Sequence, residues 1–175
     1  MANEVISALM TRRAIRAFKP EQITDEELMT VLEAGTWAPS GRGMQSAQMV
    51  VVQNEELMKQ IVRMNGEVLG DTSRNPYYGA PTVILVFAPE DRTTYVEDGS
   101  CLLDTLMVAA ESIGLGSCWI HRERQMFETE EGKQLMAQWG LAPEMKGIGA
   151  LSLGYIEGEK PEPKPRREGY YTIIK

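Results

Sequence analysis

The amino-acid sequence predicts an α+β fold in which helices flank a mixed central sheet. Helical patterns alternate with four short apolar runs that are typical of strands. No internal repeat and no shift in composition divides the 175 residues, which indicates one domain over 1–175. A proline-rich stretch follows the last predicted strand, and such a stretch does not form a central strand or a helix interior.

Helix and strand signals alternate through the first half of the chain. Apolar residues at helical spacing predict a first helix over 3–13. Thr24 and Glu27 have the spacing of a capping box, which opens a second helix that ends before Pro39. The rest of this half is predicted as a strand over 48–53, a helix over 55–64 capped by Asn54, and a polar loop over 65–79.

The second half continues this alternation. Residues 82–87 are apolar throughout, so they predict a strand that is covered on both faces. A long helix over 95–113 follows, and the glycines of 114–116 end it. The remaining predicted elements are a strand over 117–120, a helix over 128–139, a strand over 147–155, and an extended tail over 159–175 with an apolar end at 170–174.

Composition and charge exclude several classes of protein. The formal net charge of −7 argues against general nucleic-acid binding, because that function needs a broad basic surface. No apolar run approaches the roughly 18 residues of a membrane span, and the N-terminal residues lack a signal-peptide pattern. Cys101 and Cys118 have no metal-site spacing and are expected to be small buried apolar fillers. We therefore expect a reduced, cytoplasmic protein without a bound metal.

Two segments concentrate basic residues in this acidic chain. Residues 12–18 and 160–167 hold seven of the eighteen Lys and Arg residues. Arg presents a planar fork of donors and Lys a point charge, and a phosphate ester is bound by both. The segments are interpreted either as a phosphate site or as two solvated surface runs. The chain has one histidine and no Ser-His-Asp grouping or cluster of metal ligands, so no nucleophilic or metal chemistry is indicated.

Four short motifs, in order along most of the chain, carry a resemblance to the nitroreductase family of FMN-dependent oxidoreductases. Each motif is weak alone, and the signal lies in their order and separation. They are Arg12-Arg13-Ala14-Ile15-Arg16-Ala17-Phe18, Ala38-Pro39-Ser40 with Gln45, Gly114-Leu115-Gly116-Ser117-Cys118-Trp119-Ile120, and Gly154-Tyr155 followed by Lys164-Pro165-Arg166.

The resemblance implies an obligate homodimer with two FMN sites at the subunit interface. The extended C-terminal arm with its apolar end is expected to cross to the partner subunit, because such an arm buries little against its own body. The resemblance also implies three groups of cofactor-binding residues. Arg12, Arg13, Arg16, Lys164 and Arg166, with a backbone contact at Ala14, would hold the phosphate and the pyrimidine edge; Pro39, Ser40 and Gln45 would approach from the partner; Trp119, Ile120, His121 and Arg122 would line the isoalloxazine, with backbone N–H groups near its N5.

The function implied by the resemblance is hydride transfer from NADH or NADPH to FMN and then to nitroaromatics, quinones or similar small acceptors by a ping-pong mechanism. The protein chain would supply binding and electrostatics, and the flavin would supply the chemistry. Two alternatives stay open. One is specialised flavin chemistry on the same fold, such as dehalogenation or flavin fragmentation. The other is a flavin-binding protein without turnover.

The sequence departs from the family pattern at several positions of the implied site. Gly43 stands where the family has Asn, and His121-Arg122 replace residues that are commonly small glycines. A cationic pair would narrow the pocket rim and favour anionic or polar substrates. His121 is interpreted as a proton donor or as a pocket wall, and Trp119 as a packing residue or a stacking platform. Further departures are Ser46-Ala47 in place of Pro-Trp and Ala14 in place of Ser. Tyr77 and Tyr78 are interpreted either as residues that cover the flavin or as anchors of their own loop.

Overall fold

The computed structural model describes residues 3–175 of the chain. A short 3₁₀ turn at Gly41–Gly43 precedes the first strand. The helices and strands of the described residues, named in chain order, are α1 (Glu4–Thr11), α2 (Asp25–Thr36), β1 (Gln48–Val52), α3 (Glu55–Leu69), β2 (Thr82–Pro89), α4 (Tyr95–Ser112), β3 (Gly116–Ile120), α5 (Glu123–Glu128), α6 (Glu130–Gln138) and β4 (Met145–Gly154).

The four strands form one antiparallel sheet in the order β1-β2-β4-β3. The α+β class is confirmed, but the strands do not form the expected mixed sheet. An isolated bridge between Ala14 and Ser117 is the parallel pairing found in the described residues. The apolar run of β2 correctly indicated burial on both faces. Such burial is usual in parallel sheets and also occurs in antiparallel ones, so it does not determine strand direction.

Side chains of β2 alternate between two hydrophobic clusters, one on each face of the sheet. Val83, Leu85 and Phe87 belong to the cluster that α3, α5 and α6 cover. Ile84 and Val86 belong to the cluster that α2 and α4 cover. All of these side chains are fully buried, and their alternation follows from the period of two in a strand. The sheet is therefore the middle layer of three.

Polar side chains cap several helices at their first turns. The predicted capping box is confirmed, because Thr24 accepts from the Glu27 N–H while the Glu27 carboxylate accepts from the Thr24 N–H. Asn54 caps α3 as predicted, since its Oδ1 accepts from the Leu57 N–H at 3.0 Å. Each cap satisfies donors that the helix itself leaves free.

The predicted loop over 65–79 is wrong in its first part, because α3 continues to Leu69. Gly70 then ends the helix in the left-handed region at φ 77°. Asn65 and Gly66 are weak helix formers, yet both are buried inside α3, so tertiary contacts override their propensity. The helix predicted over 128–139 is confirmed as α6, whereas the short helix α5 before it was not predicted; the two meet at Thr129.

The two cysteines differ in environment. Cys118 is 3% exposed on β3, as expected. Cys101 is exposed on α4, so the expectation that it fills the core is wrong. Its neighbours Leu102 and Leu103 take the buried positions of that helical turn instead.

The tail over 159–175 contains no helix or strand, as predicted, and its residues are exposed. Large apolar side chains at its end are among them, including Tyr171 at 80% and Ile174 at 88% exposure. Among the helices of residues 3–175, none has the length and apolar character needed to cross a membrane.

Replacing Gly132 with alanine should destabilise the fold at the junction of α5 and α6. The added Cβ would lie 2.4 Å from the Met126 carbonyl oxygen and 2.6 Å from the Phe127 Cα, and neither backbone atom is free to swing away. We expect the free energy of unfolding to fall by about 1–3 kcal/mol in urea titrations. Gln134→Ala, at an exposed position of α6, is the control and should change it by less than about 0.5 kcal/mol. Equal stability of the two variants would contradict the predicted clash.

Candidate functional site

The first basic segment leaves α1 and pairs with β3. The N–H of Ile15 donates to the Ser117 carbonyl oxygen at 2.9 Å, beside the bridge between Ala14 and Ser117. Ile15 is 3% exposed and packs with Phe18, so the backbone of this segment is held against the sheet edge. Arg16 lies next to this anchor and is exposed.

The arginines of this segment have different surroundings. The Arg13 guanidinium turns back on α1, where its Nη1 donates to the carbonyl oxygens of Met10 at 2.8 Å and Arg12 at 2.7 Å. In this conformation Arg13 caps the carbonyl end of the helix. The Arg16 guanidinium instead lies 5.8 Å from the centre of the Tyr78 ring, within cation–π range.

The contact with Tyr78 raises the pKa of Arg16 above its ordinary value. Burial raises the pKa of Cys118, although the nearby charges of Arg16 and Arg12 oppose that shift. Burial is therefore the stronger influence, and the thiol stays protonated at neutral pH. The cysteine shapes the wall behind the arginines and contributes no charge.

The loop with Pro39, Ser40 and Gln45 lies elsewhere, at the N-terminal end of α4. The Ser40 hydroxyl accepts from the Gln45 N–H at 2.9 Å, and the Gly41 N–H donates to Asp98 Oδ1 at 2.8 Å. Residues Arg42 and Gln45 have left-handed φ values of 55° and 50°, so contacts around them must hold this strained turn. The three predicted residues line one cavity of about 210 Å³ together with Gly35, Thr36, Ala38, Ala47, Met49, Asp98 and Leu102.

The structure separates these two groups of predicted residues. Asp98 binds the Pro39–Gln45 loop near the start of α4, and Glu111 accepts from the Thr11 hydroxyl near its end, just before Arg12. Thirteen residues separate the two carboxylates, which corresponds to about 20 Å at the rise of an α-helix. The loop also leads into β1 and the arginine segment pairs with β3, and these are the opposite edges of the sheet. One chain therefore holds these two groups of predicted residues, which we term half-sites, at opposite edges of the sheet.

The start of the second basic segment lies beside the first. The Lys160 ammonium binds both oxygens of Glu111, at 2.6 and 2.8 Å, and Glu111 also accepts from Thr11. Upstream, the Lys19 N–H donates to the Tyr155 carbonyl oxygen, and the Glu157 N–H to that of Ala17. Chain residues 155–160 therefore run alongside 11–19.

Lys164 and Arg166 themselves are exposed, and the Arg166 guanidinium donates to the Lys164 carbonyl oxygen at 2.7 Å. Sequence reasoning missed Glu111, which joins the two segments. No local motif marks it, because its partners Thr11 and Lys160 are distant in sequence.

The residues after β3 present a short turn at the sheet edge. Ile120 is 4% exposed and Trp119 36%, with the Trp119 indole passing close to Gly149. The indole is therefore partly packed and partly open. His121 is exposed, and Arg122 takes φ 88° while its Nε donates to Asn65 Oδ1 at 2.9 Å.

Three buried polar residues behind this turn were not predicted. Asn65, Tyr77 and Glu123 are 0% exposed and are joined by hydrogen bonds. Burial raises the pKa of Glu123 to about 8, although Tyr77, Arg122 and Asn65 partly oppose the shift. The carboxyl is therefore protonated near neutral pH. Burial, and then the charge of Glu123, raise the pKa of Tyr77 well above its usual range.

No group of three or more His, Cys, Asp or Glu side chains with metal-binding geometry occurs in residues 3–175. The described residues thus offer guanidinium, ammonium and amide side chains together with backbone N–H groups. This donor set suits an anionic or polar organic ligand.

Comparison with known proteins defines the class. A family model described as "Nitroreductase family" matches residues 9–155. A crystal structure of a nitroreductase with bound FMN from Bacteroides fragilis superposes with a TM-score of 0.89 at 28% identity, covering 99% of this chain and 100% of that one. Another, from Desulfitobacterium hafniense, has a TM-score of 0.87 at 25% identity, covering 99% and 100% of the respective chains.

A relative from Archaeoglobus fulgidus, provisionally named an NADH dehydrogenase/NAD(P)H nitroreductase, is 29% identical over 167 residues. The match covers 90% of this chain and 88% of the relative. The family model, the solved structures and this relative agree over almost the whole length. The chain belongs to the nitroreductase family.

Proposed function

We propose that this protein is an FMN-dependent oxidoreductase that moves hydride equivalents from NADH or NADPH to small acceptors. Membership of the nitroreductase family establishes the oxidoreductase class. The observation that carries the proposal is that the likeness to FMN-bound nitroreductases covers 99% of this chain. Nitroaromatics and quinones are the proposed acceptors, in a ping-pong mechanism in which donor and acceptor use one flavin face in turn.

The residues present fit a phosphate-bearing cofactor. Arg12 and Arg16 flank residues Ala14 and Ile15, which are anchored to β3, and the chain as a whole carries a net negative charge. The positive charge that a phosphate group needs is therefore concentrated in the basic segments. We propose that Arg12 and Arg16, with Lys164 and Arg166, hold the phosphate and pyrimidine edge, that the Ala14 backbone contributes, and that Arg13 joins them if it leaves α1.

The separation of the half-sites supports a homodimer. The cavity beside Pro39, Ser40 and Gln45 measures about 210 Å³, below the roughly 300–1,000 Å³ of typical small-molecule sites. We propose that a second copy brings its loop to the arginine edge of the first, so that each of two sites contains residues from both chains. The exposed tail would cross to the partner and bury its apolar end there.

FMN supplies the two-electron chemistry, and the chain supplies orientation and charge. Trp119 and Ile120 would form the wall of the flavin site, and the exposed His121 and half-buried Arg122 would form its rim. A cationic rim favours acceptors with nitro, carboxylate or quinone oxygens. We take residues 1–175 as one FMN-binding domain and propose a cytoplasmic location, in keeping with two free cysteines.

Purified protein should be yellow and should release FMN on denaturation. The substitution Arg16→Ala should weaken the binding of FMN. A hydrogen bond to a charged group contributes about 1.5–3 kcal/mol, so Kd should rise roughly tenfold or more in flavin-fluorescence titrations. Lys59→Ala removes the same charge from a 68% exposed side chain on α3 and should leave Kd unchanged. Colourless protein that FMN does not reconstitute would overturn the proposed function.

Deleting the tail from Pro163 onward should weaken dimerisation and FMN binding together. The deletion removes Lys164, Arg166 and the apolar end, while Lys160 keeps its ion pair with Glu111. Sedimentation velocity should show a shift toward monomer, and the dialysed protein should lose its colour. A truncated protein that stays dimeric and yellow would contradict the proposed role of the arm. Glu159→Gln, an exposed change upstream of the deletion, serves as the control.

Replacing His121 with alanine should leave flavin reduction by NADH or NADPH within about tenfold of the parent rate in anaerobic stopped flow. The side chain is exposed and contributes to the rim, whereas loss of a true general acid typically costs 10²- to 10⁴-fold. Acceptor preference should shift, because Arg122 then becomes the main rim group. A hundredfold slower reoxidation with intact reduction would identify His121 as the proton donor. Flavin that binds but is not bleached by either nucleotide would favour a non-catalytic flavin-binding protein.

A further inference from the structure

A fully buried polar cluster lies directly behind the turn that follows β3. Asn65, Tyr77 and Glu123 are each 0% exposed within an otherwise hydrophobic layer. Tyr77 Oη donates to Glu123 Oε1 at 3.2 Å, and Asn65 Nδ2 lies 3.1 Å from the same oxygen. Burying polar groups costs free energy unless they are hydrogen-bonded, and Glu123 Oε2 has no protein partner. Apolar residues would pack there at lower cost, so the cluster calls for a role beyond packing.

Asn65 links this cluster to the turn through two further contacts. Its Nδ2 lies 3.2 Å from the His121 carbonyl oxygen, and its Oδ1 accepts from Arg122 Nε at 2.9 Å. An amide offers donors and an acceptor at one end of a single side chain. Asn65 therefore contacts both the backbone before Arg122 and the side chain of Arg122 itself.

The contact with the His121 carbonyl determines the direction of the next N–H. The described chain contains no cis peptide bond, and in a trans peptide the C=O and N–H point in opposite directions. Because the His121 carbonyl points inward to Asn65, the Arg122 N–H points away from the cluster. Among residues 3–175, no acceptor is found for this N–H.

Arg122 needs support to hold this conformation. Its φ of 88° is unfavourable for a residue with a side chain, and such conformations persist where surrounding contacts hold them. Asn65 supplies contacts on both sides of that φ angle. The buried Glu123 carboxyl, which accepts from Asn65 Nδ2 at 3.1 Å, in turn limits the orientations open to the Asn65 amide.

We propose that Asn65, held by Glu123, is a positioning residue that turns the His121–Arg122 peptide so that the Arg122 N–H faces the flavin site. Asn65 touches neither cofactor nor substrate and acts through this peptide. The inference rests on the proposed function, since that function places the flavin beside residues 119–122. The orientation of the N–H is a property of the chain itself and can be measured without FMN.

The test compares Asn65→Leu with Tyr77→Phe. The leucine keeps a similar volume and removes both contacts to the turn, whereas the phenylalanine removes a buried hydroxyl and leaves those contacts in place. In isotope-labelled apo-protein, Asn65→Leu should move the Arg122 amide resonance, and in titrations it should raise the Kd for FMN about tenfold, as for one lost hydrogen bond. Tyr77→Phe should lower the melting temperature while both of these quantities stay near parent values.

A purely structural role for Asn65 predicts a different result. The melting temperature would fall, with the Arg122 resonance and the Kd unchanged, or both variants would change them equally. Either outcome would overturn the proposal. A failure of parent protein to bind FMN would contradict the proposed function alone, because the shift of the Arg122 resonance in apo-protein still reports on the peptide.

A second measurement requires no variant and covers the case in which Asn65→Leu does not fold. In parent apo-protein the Arg122 amide should exchange with solvent at least about tenfold faster than the amide of Ile120, which is buried on β3. Adding FMN should slow exchange at Arg122. An Arg122 amide that is already protected in apo-protein would show that it does not point outward, and would refute the proposal.

Discussion

Helix α4 is the element on which the arrangement of the site depends. It packs against the central sheet through Leu103 and Leu106, which are fully buried, so its position relative to the strands does not change easily. Asp98 holds the glycine-rich loop at one end, and Glu111 joins both basic segments at the other. Because α4 makes one carboxylate contact near each of its ends, it holds the two half-sites apart. In the proposed homodimer, the length of α4 is the reason why the loop of one subunit would meet the arginine edge of the other.

Much of the fold could be predicted from the sequence, because local patterns determine it. The capping box at Thr24, the cap at Asn54 and the apolar run of β2 depend on neighbouring residues, and the structure contains all three. Strand direction was not predictable in this way. It depends on how the connections cross the sheet, and no local pattern reports that. The extension of α3 beyond Met64 was missed for a related reason, since tertiary burial of Asn65 and Gly66 outweighs their poor helix propensity.

Residues of the candidate site could be predicted where they lie in local sequence motifs. Residues whose hydrogen-bond partners are distant in sequence could not. The arginine segment was found through its concentration of basic residues in an acidic chain, and the residues after β3 through their resemblance to a family. Glu111, Asn65 and Glu123 are single polar residues outside any motif, and each interacts with partners far away in sequence. The sequence pattern alone places Glu111 on a helix and Asn65 in a polar loop, and it gives none of the three a role in the site. Glu123 shows the difference most clearly, because it is fully buried at the first position of α5, where an exposed acidic residue is usual.

The extended tail bears on the lifetime of the protein in a cell. Proteases accept substrates in an open, irregular conformation, and residues 161–175 offer one with aromatic and branched side chains exposed. This segment is therefore open to proteolytic trimming unless something covers it. If the arm is covered in the proposed homodimer, degradation would remove unassembled chains faster than assembled ones and would tie the abundance of the protein to its assembly.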